Sequence, residues 1–165
     1  MSGLLPRELS EVRAVLAGLP GLRIHSVVLA PESREYAACQ FRVGSRSAQF
    51  RAAKNTPEKA GLFVTLWQRS ADGPIRPFDA DDDAELFLIR ARTGGSRGHF
   101  VFRKEVLIER GIVSQSGIGG KRGFRVYPPW CSGLNAQARR TQLWQSACFL
   151  FDDASPAQIE GHYAC

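Results

Sequence analysis

The chain has 165 residues, 44 % of them apolar and 23 % charged, with a formal net charge of +6. That length predicts one domain with a sizeable core, and the composition is that of an ordinary globular protein, not a fibrous or disordered one. No apolar run approaches the ~20 residues that span a bilayer, and the opening MSGLLPRELSEVR interrupts its first apolar stretch with charge, so a cytoplasmic protein with no membrane insertion is expected.

In chain order, Leu9, Val12, Leu16 and Leu19 recur at three- and four-residue steps. They predict an amphipathic helix over 6–18, within an N-terminal segment 1–20. Ile24 to Leu29 is short, apolar and β-branched and reads as a strand. Tyr36–Val43 and Gln49–Lys54 flank Gly44-Ser45 and predict a hairpin. Residues 55–61 read as a loop. LFVTLWQR (62–69) reads as one strand, with Phe63, Thr65 and Trp67 on one side and Val64 and Leu66 on the other.

Residues 70–83 read as a loop that carries most of the acidic run DADDDAE (79–85). Glu85–Ala91 is apolar on both faces and predicts a central strand. A Gly/Ser turn (93–98), a strand (99–102) and a short helix (104–110) stopped by Gly111 follow. GFRVY (123–127) reads as a strand. Asn135 caps a last helix to about Phe149, with Leu143, Ala147 and Leu150 on one face. Residues 151–165 read as a C-terminal tail. The whole predicts an α+β (mixed α/β) fold: a central mixed, largely antiparallel sheet of about five to six strands flanked by helices.

Cys39, Cys131, Cys148 and Cys165 show no Cys-x-x-Cys spacing, and His25, His99 and His162 lie far from them. Zinc ligands come in close pairs, so no zinc and no other structural metal is expected, only reduced thiols. Gly94–Gly98 matches Gly-x-Ser-x-Gly, but a strand follows it where a hydrolase elbow needs a helix. Gly117-Ile-Gly-Gly-Lys121 lacks the Ser/Thr and helix of a Walker loop; a nest of amides for an anion stays open.

A metal-dependent nuclease needs clustered carboxylates and a nearby lysine. Glu35, Asp83, Glu85 and Lys104 are the candidate catalytic residues, with Lys54 as an alternative lysine. The Asp/Glu-x-Lys triplet is absent: Phe102 stands two before Lys104, and the hairpin carries Gln49-Phe-Arg51.

Basic side chains alternate with aromatics in FRAAK, LWQR, HFVFRK, KRGFRVYPPW and ARRTQLWQ. Rings stack on bases while the neighbouring cations meet phosphates. The candidate anion contacts are Arg51, Lys54, Arg69, Lys121, Arg122 and Arg125, with Trp67, Tyr127 and Trp130 to stack and Gln137 and Arg140 to complete a cleft. The chain has eighteen arginines and four lysines, so each lysine is a marked choice of a compact ammonium over a planar guanidinium.

Together FRAAKNTPEKAGLFVTLWQR, GPIRPFDADDDAELFLI, GHFVFRKEVLIERGIVS and GGKRGFRVYPPW with NAQARRTQLWQ resemble the MepB family over about 35–150. Lys54 matches the family's Lys-x-Thr-Pro turn and Lys121 its Gly-Lys-Arg loop. Where the family often has Phe-Pro-Lys, this chain has Phe102-Arg-Lys104. The resemblance implies a restriction-endonuclease-like scaffold, which is an analogy of fold and not an activity. Four readings stay open: a nucleic-acid-binding protein; a metal-dependent nuclease, with Mg²⁺ as its expected cofactor; a pocket protein for a small anionic metabolite or nucleotide; or, from the family resemblance, an interaction partner of an efflux regulator.

Overall fold

The computed structural model describes residues 5–71 and 73–164. Helix α1 (Arg7–Leu16) opens the chain and buries Leu9, Val12 and Leu16, the apolar stripe that its spacing dictates. It is shorter than the spacing suggests, because the backbone turns extended at Ala17 and then forms a 3-10 turn at Pro20–Leu22.

Strands β1 (Ile24–Leu29), β2 (Cys39–Val43) and β3 (Arg46–Ala52) form an antiparallel meander. Val43 pairs with Arg46, so Gly44-Ser45 is a two-residue turn with Gly44 at φ 60°. Tyr36, expected to open β2, instead ends a 3-10 turn (Arg34–Tyr36) between left-handed Ser33 and Ala37. Strands β8 (Leu86–Thr93) and β9 (Ser96–Arg103) form a second hairpin, and β11 (Phe149–Phe151) adds to β9. The six strands lie in the order β1-β2-β3-β8-β9-β11, and only β3 and β8 run parallel. The fold is a mixed α+β one, with a mixed, largely antiparallel central sheet.

The expected strand 62–69 is two strands. Residues Leu62–Thr65 (β5) join β4 (Lys54–Asn55) and β10 (Gly123–Val126) in a small antiparallel sheet. After Leu66, residues Trp67–Arg69 (β6) change partner and pair with β7 (Ile75–Pro77), inside the segment expected to be loop. Helix α2 (Lys104–Glu109) follows β9 directly. Helix α3 (Ala136–Ser146) begins where Asn135 accepts from the Ala138 N–H at 2.8 Å. It ends before Phe149 and buries Ala138 and Gln145, while Leu143 is 78 % exposed and does not join a core face with Leu150, which lies in β11.

The described part of the expected tail, residues 151–164, is folded. Helix α4 (Pro156–Tyr163) starts at a Ser155/Gln158 capping box and buries Ile159 and Tyr163. Two cores result. Alternation along β8 sends Leu86 and Leu88 to a cluster under α1 and α4, and Phe87, Ile89 and Ala91 to one under the small sheet and α2. On that second face β2 and β3 meet β6 across a groove lined by Gln40, Gln49, Arg51 and Trp67.

Candidate functional site

Two recesses hold seven of the eleven candidate binding residues, and they share no lining residue. The first lies where the open edge of β10 meets α3. In β10, Phe124 and Val126 are buried, while Arg125 projects from the other face of the small sheet beside Phe63. The Gln145 side chain takes the place of a neighbouring strand along the β10 edge. Its Oε1 accepts from the Tyr127 N–H at 2.8 Å, and its Nε2 donates to the Arg125 carbonyl at 3.0 Å. That buried, fully bonded amide holds α3 against β10.

The recess has a volume of about 310 Å³ and brings together Lys121, Arg125, Tyr127 and Gln137, all expected from sequence, with Arg110 and Trp144. Its lining contains three cations and no carboxylate. The Arg110 guanidinium lies 4.9 Å from the centre of the Trp144 ring. Lys121 is exposed, and its ammonium forms no ion pair among the described residues. Arg125 is already engaged: Nη1 donates to the Ala60 carbonyl at 3.0 Å and Nη2 to Thr56 Oγ1 at 2.7 Å. It therefore fastens the Thr-Pro turn to β10.

Sequence reasoning passed over Arg110, Thr141, Trp144 and Gln145. A signal was present, because Gln137, Thr141 and Gln145 recur at four-residue steps and so share one face of α3.

The loop 115–120 stands close to this recess, held by Asp79. Its Oδ1 accepts from Ser114 Oγ at 2.6 Å and from the Gly117 N–H at 2.9 Å. These bonds, with another from the Asp81 N–H, hold the Asp79 carboxyl down at about 2.

The second recess is the groove over β2 and β3. It has a volume of about 300 Å³ and is lined by Arg51, Trp67 and Arg69. Arg69 forks onto Glu32, with Nη2–Oε1 at 2.8 Å and Nε–Oε2 at 3.0 Å. The pairing holds the Glu32 carboxyl below, and the Arg69 guanidinium above, their ordinary values.

The remaining candidates are scattered. Lys54 lies 4.7 Å from the Tyr36 ring centre, on the opposite edge of β5 from β10. Arg122 and Arg140 are exposed, outside both recesses. Trp130 is packed, edge-on to Phe149 with centroids 5.5 Å apart, and its indole N–H is buried without a partner. Its ring belongs to the second core and is not an open stacking platform.

The catalytic candidates split. Asp83 and Glu85 sit by the start of β3, where Ser47 Oγ donates to the Asp83 carbonyl and the Glu85 N–H to the Ser47 carbonyl. Lys104 is there too, donating to the Ala80 and Asp82 carbonyls at 2.9 Å each. Glu35 lies next to Tyr36, whose ring meets Lys54 beyond the far end of β3. At about 3.3 Å per strand residue, the length of β3 separates it from the other acids. Glu85 pairs with Arg46 at 3.4 Å, and the described residues hold no group of three or more metal-ligating side chains. The four do not form one centre.

Comparison with known proteins follows the same lines. A family model described as MepB-like matches residues 30–151. The chain is similar to a solved structure, the crystal structure of MepB, at 30 % identity and a TM-score of 0.78, with 91 % of this chain and 99 % of that one covered. No curated protein matches it. With three quarters of its length inside the family match and the fold shared over 91 % of it, the chain belongs to the MepB-like family.

Proposed function

We propose that this MepB-like protein binds nucleic acid at the recess between β10 and α3. One observation carries the reading: Lys121 and Arg110, with the half-buried rings of Tyr127 and Trp144, line a recess that contains no carboxylate, while the third cation of its lining, Arg125, is engaged by the Thr-Pro turn. Phosphates meet Lys121 and Arg110, with Arg122 and Arg140 outside the rim and Lys54 beyond β5. A base stacks in the recess, and Gln137 offers it an amide. Arg125 acts by holding the Thr-Pro turn. The mixed sheet with helices on its faces supports the restriction-endonuclease-like scaffold that the family resemblance implies. The spread of Glu35, Asp83, Glu85 and Lys104 favours binding over cleavage.

The test is fluorescence polarisation with single- and double-stranded DNA and with RNA, at two salt concentrations. Affinity is expected to fall steeply with salt, and on duplex DNA Lys121→Ala is expected to lower the log–log salt slope by about 0.9. Affinity independent of salt, or an unchanged slope in the variant, overturns the reading. Adding Mg²⁺ is expected to yield no product; a product lost in Asp83→Ala would establish the nuclease.

A second reading has its own support. A recess of about 310 Å³ is the size of a small-ligand pocket, which fits a single nucleotide. Tight binding of a mononucleotide without binding of oligonucleotides would select it.

A further inference from the structure

Alternation along β3 points Gln49 and Arg51 away from α1 and α4, into the groove over β2 and β3. Only 4 % of Arg51 is exposed. Nη1 donates to the Phe50 carbonyl at 2.7 Å and to Gln49 Oε1 at 3.1 Å, and Nη2 to the Trp67 carbonyl at 3.3 Å. A guanidinium carries five N–H groups, so these three bonds leave donors over. None of the acceptors is charged, and Arg51 forms no ion pair among the described residues. The titratable group whose charge bears on it, Cys39, packs beside Phe50 on the opposite face of the sheet, and burial pushes its thiol up to about 12 and so keeps it neutral.

Arg90 shows what this fold does with a structural arginine. It is 2 % exposed, and it is gripped by Asp152 at 2.5 and 3.0 Å and by Glu11 at 3.2 Å. A buried cation is tolerated when a carboxylate answers it. At Arg51 the chain supplies none, and the groove is where a counter-charge can enter.

The groove also limits what that counter-charge can be. Glu32 cancels Arg69 at one end, so Arg51 is the net charge of the site. Trp67 and Phe78 give it aromatic walls, and Val28 and Leu29, 55 % and 46 % exposed, form an apolar rim. Gln40 and Gln49 set amides in the floor. One uncompensated cation in a mostly apolar groove of about 300 Å³ suits a monoanion with a flat apolar body. The three-cation recess by Lys121 suits phosphates instead.

We infer that this groove is a binding site for a small aromatic monocarboxylate, its carboxylate on Arg51 and its ring against Trp67. The test is calorimetric titration of the full chain with benzoate, with neutral benzamide and with AMP. Benzoate is expected to bind at about 1 mM or tighter, and benzamide at least about tenfold more weakly, since it lacks the charge. Arg51→Met is expected to abolish benzoate binding and, without ligand, to melt at or above the parent temperature, because it removes an unanswered charge. Gln49→Glu is expected to abolish binding by placing a carboxylate against Arg51; it serves as the second variant where Arg51→Met does not fold.

Equal affinity for benzoate and benzamide overturns the inference, as does benzoate binding that survives Gln49→Glu. AMP binding that is lost in Arg51→Met also overturns it and assigns the groove to phosphates. Oligonucleotide binding at Lys121 is expected to persist in both variants, so this inference and the nucleic-acid reading fail separately.

Discussion

A lysine in a chain that prefers arginine asks to be explained one residue at a time. Lys104 has the clearest account. Two carbonyls, of Ala80 and Asp82, each take a hydrogen bond from its ammonium at 2.9 Å. A compact ammonium with three donors fits that site, where a planar fork would not. Its bonds hold the acidic loop beside α2. Lys104→Met is expected to cost about 1–2 kcal/mol in urea unfolding, the desolvation penalty of the carbonyls left behind, and to leave oligonucleotide affinity unchanged. Lys54 instead covers a tyrosine ring, and Lys121 stands exposed in the recess by β10. The rarity of lysine thus has at least two physical causes in this chain.

At the scale of elements, α4 is the instructive case. Its apolar anchors, Ile159 and Tyr163, are four residues apart, and both pack into the core under α1. Tyr163 Oη also meets His99 Nε2 at 2.8 Å inside the protein. Ile159→Ala is expected to destabilise the protein by about 3 kcal/mol, measured by chemical denaturation, because that site is closed on all sides. A change of less than about 0.5 kcal/mol would mean that α4 detaches from the sheet.

The helix was legible in part. Ser155-Pro156 followed by Gln158 is a capping signature, but the two large apolar residues of α4, Ile159 and Tyr163, are too few to make a stripe. In α3 the stripe misled, because Leu143 looked like a core residue while the packed face carries Gln145 and Ala138. The break at Leu66 had no local mark at all, since it arises where the chain trades β10 for β7 as its partner.

For the whole molecule, pH gives a test. His99 is fully buried and sits near Arg90, and both facts push its imidazole down to about 3 from 6.5. The unfolded chain takes up that proton near 6.5 and the folded one refuses it until about 3, so stability falls as pH drops through this window. By pH 4 the loss from this group is about 3 kcal/mol. Asp79 acts lower. Its carboxyl is held at about 2 against 3.8, so its contribution is present above 3.8 and is lost as pH falls toward 2.

Melting temperatures at pH 7, 5 and 4 are expected to decline, and His99→Gln is expected to flatten the decline. The same slope in the variant would place the acid sensitivity elsewhere.

The sequence by itself determined the periodic elements: the stripe of α1, the turn at Gly44-Ser45, and the two-faced apolar run of β8. These follow from side-chain spacing and local backbone preference, which act over a few residues and survive any arrangement of the rest. It also marked the block carrying Lys121, Arg125 and Tyr127. Only the tertiary structure decided what those residues meet. Gln145 bonds the β10 edge from twenty residues away, which closes one recess, while Arg51 falls on β3 in another and Glu35 in the 3-10 turn before β2. The want of a carboxylate at Arg51 is likewise a fact of burial and distance. Counter-charges are assigned by packing between distant segments, and no spacing along the chain records that.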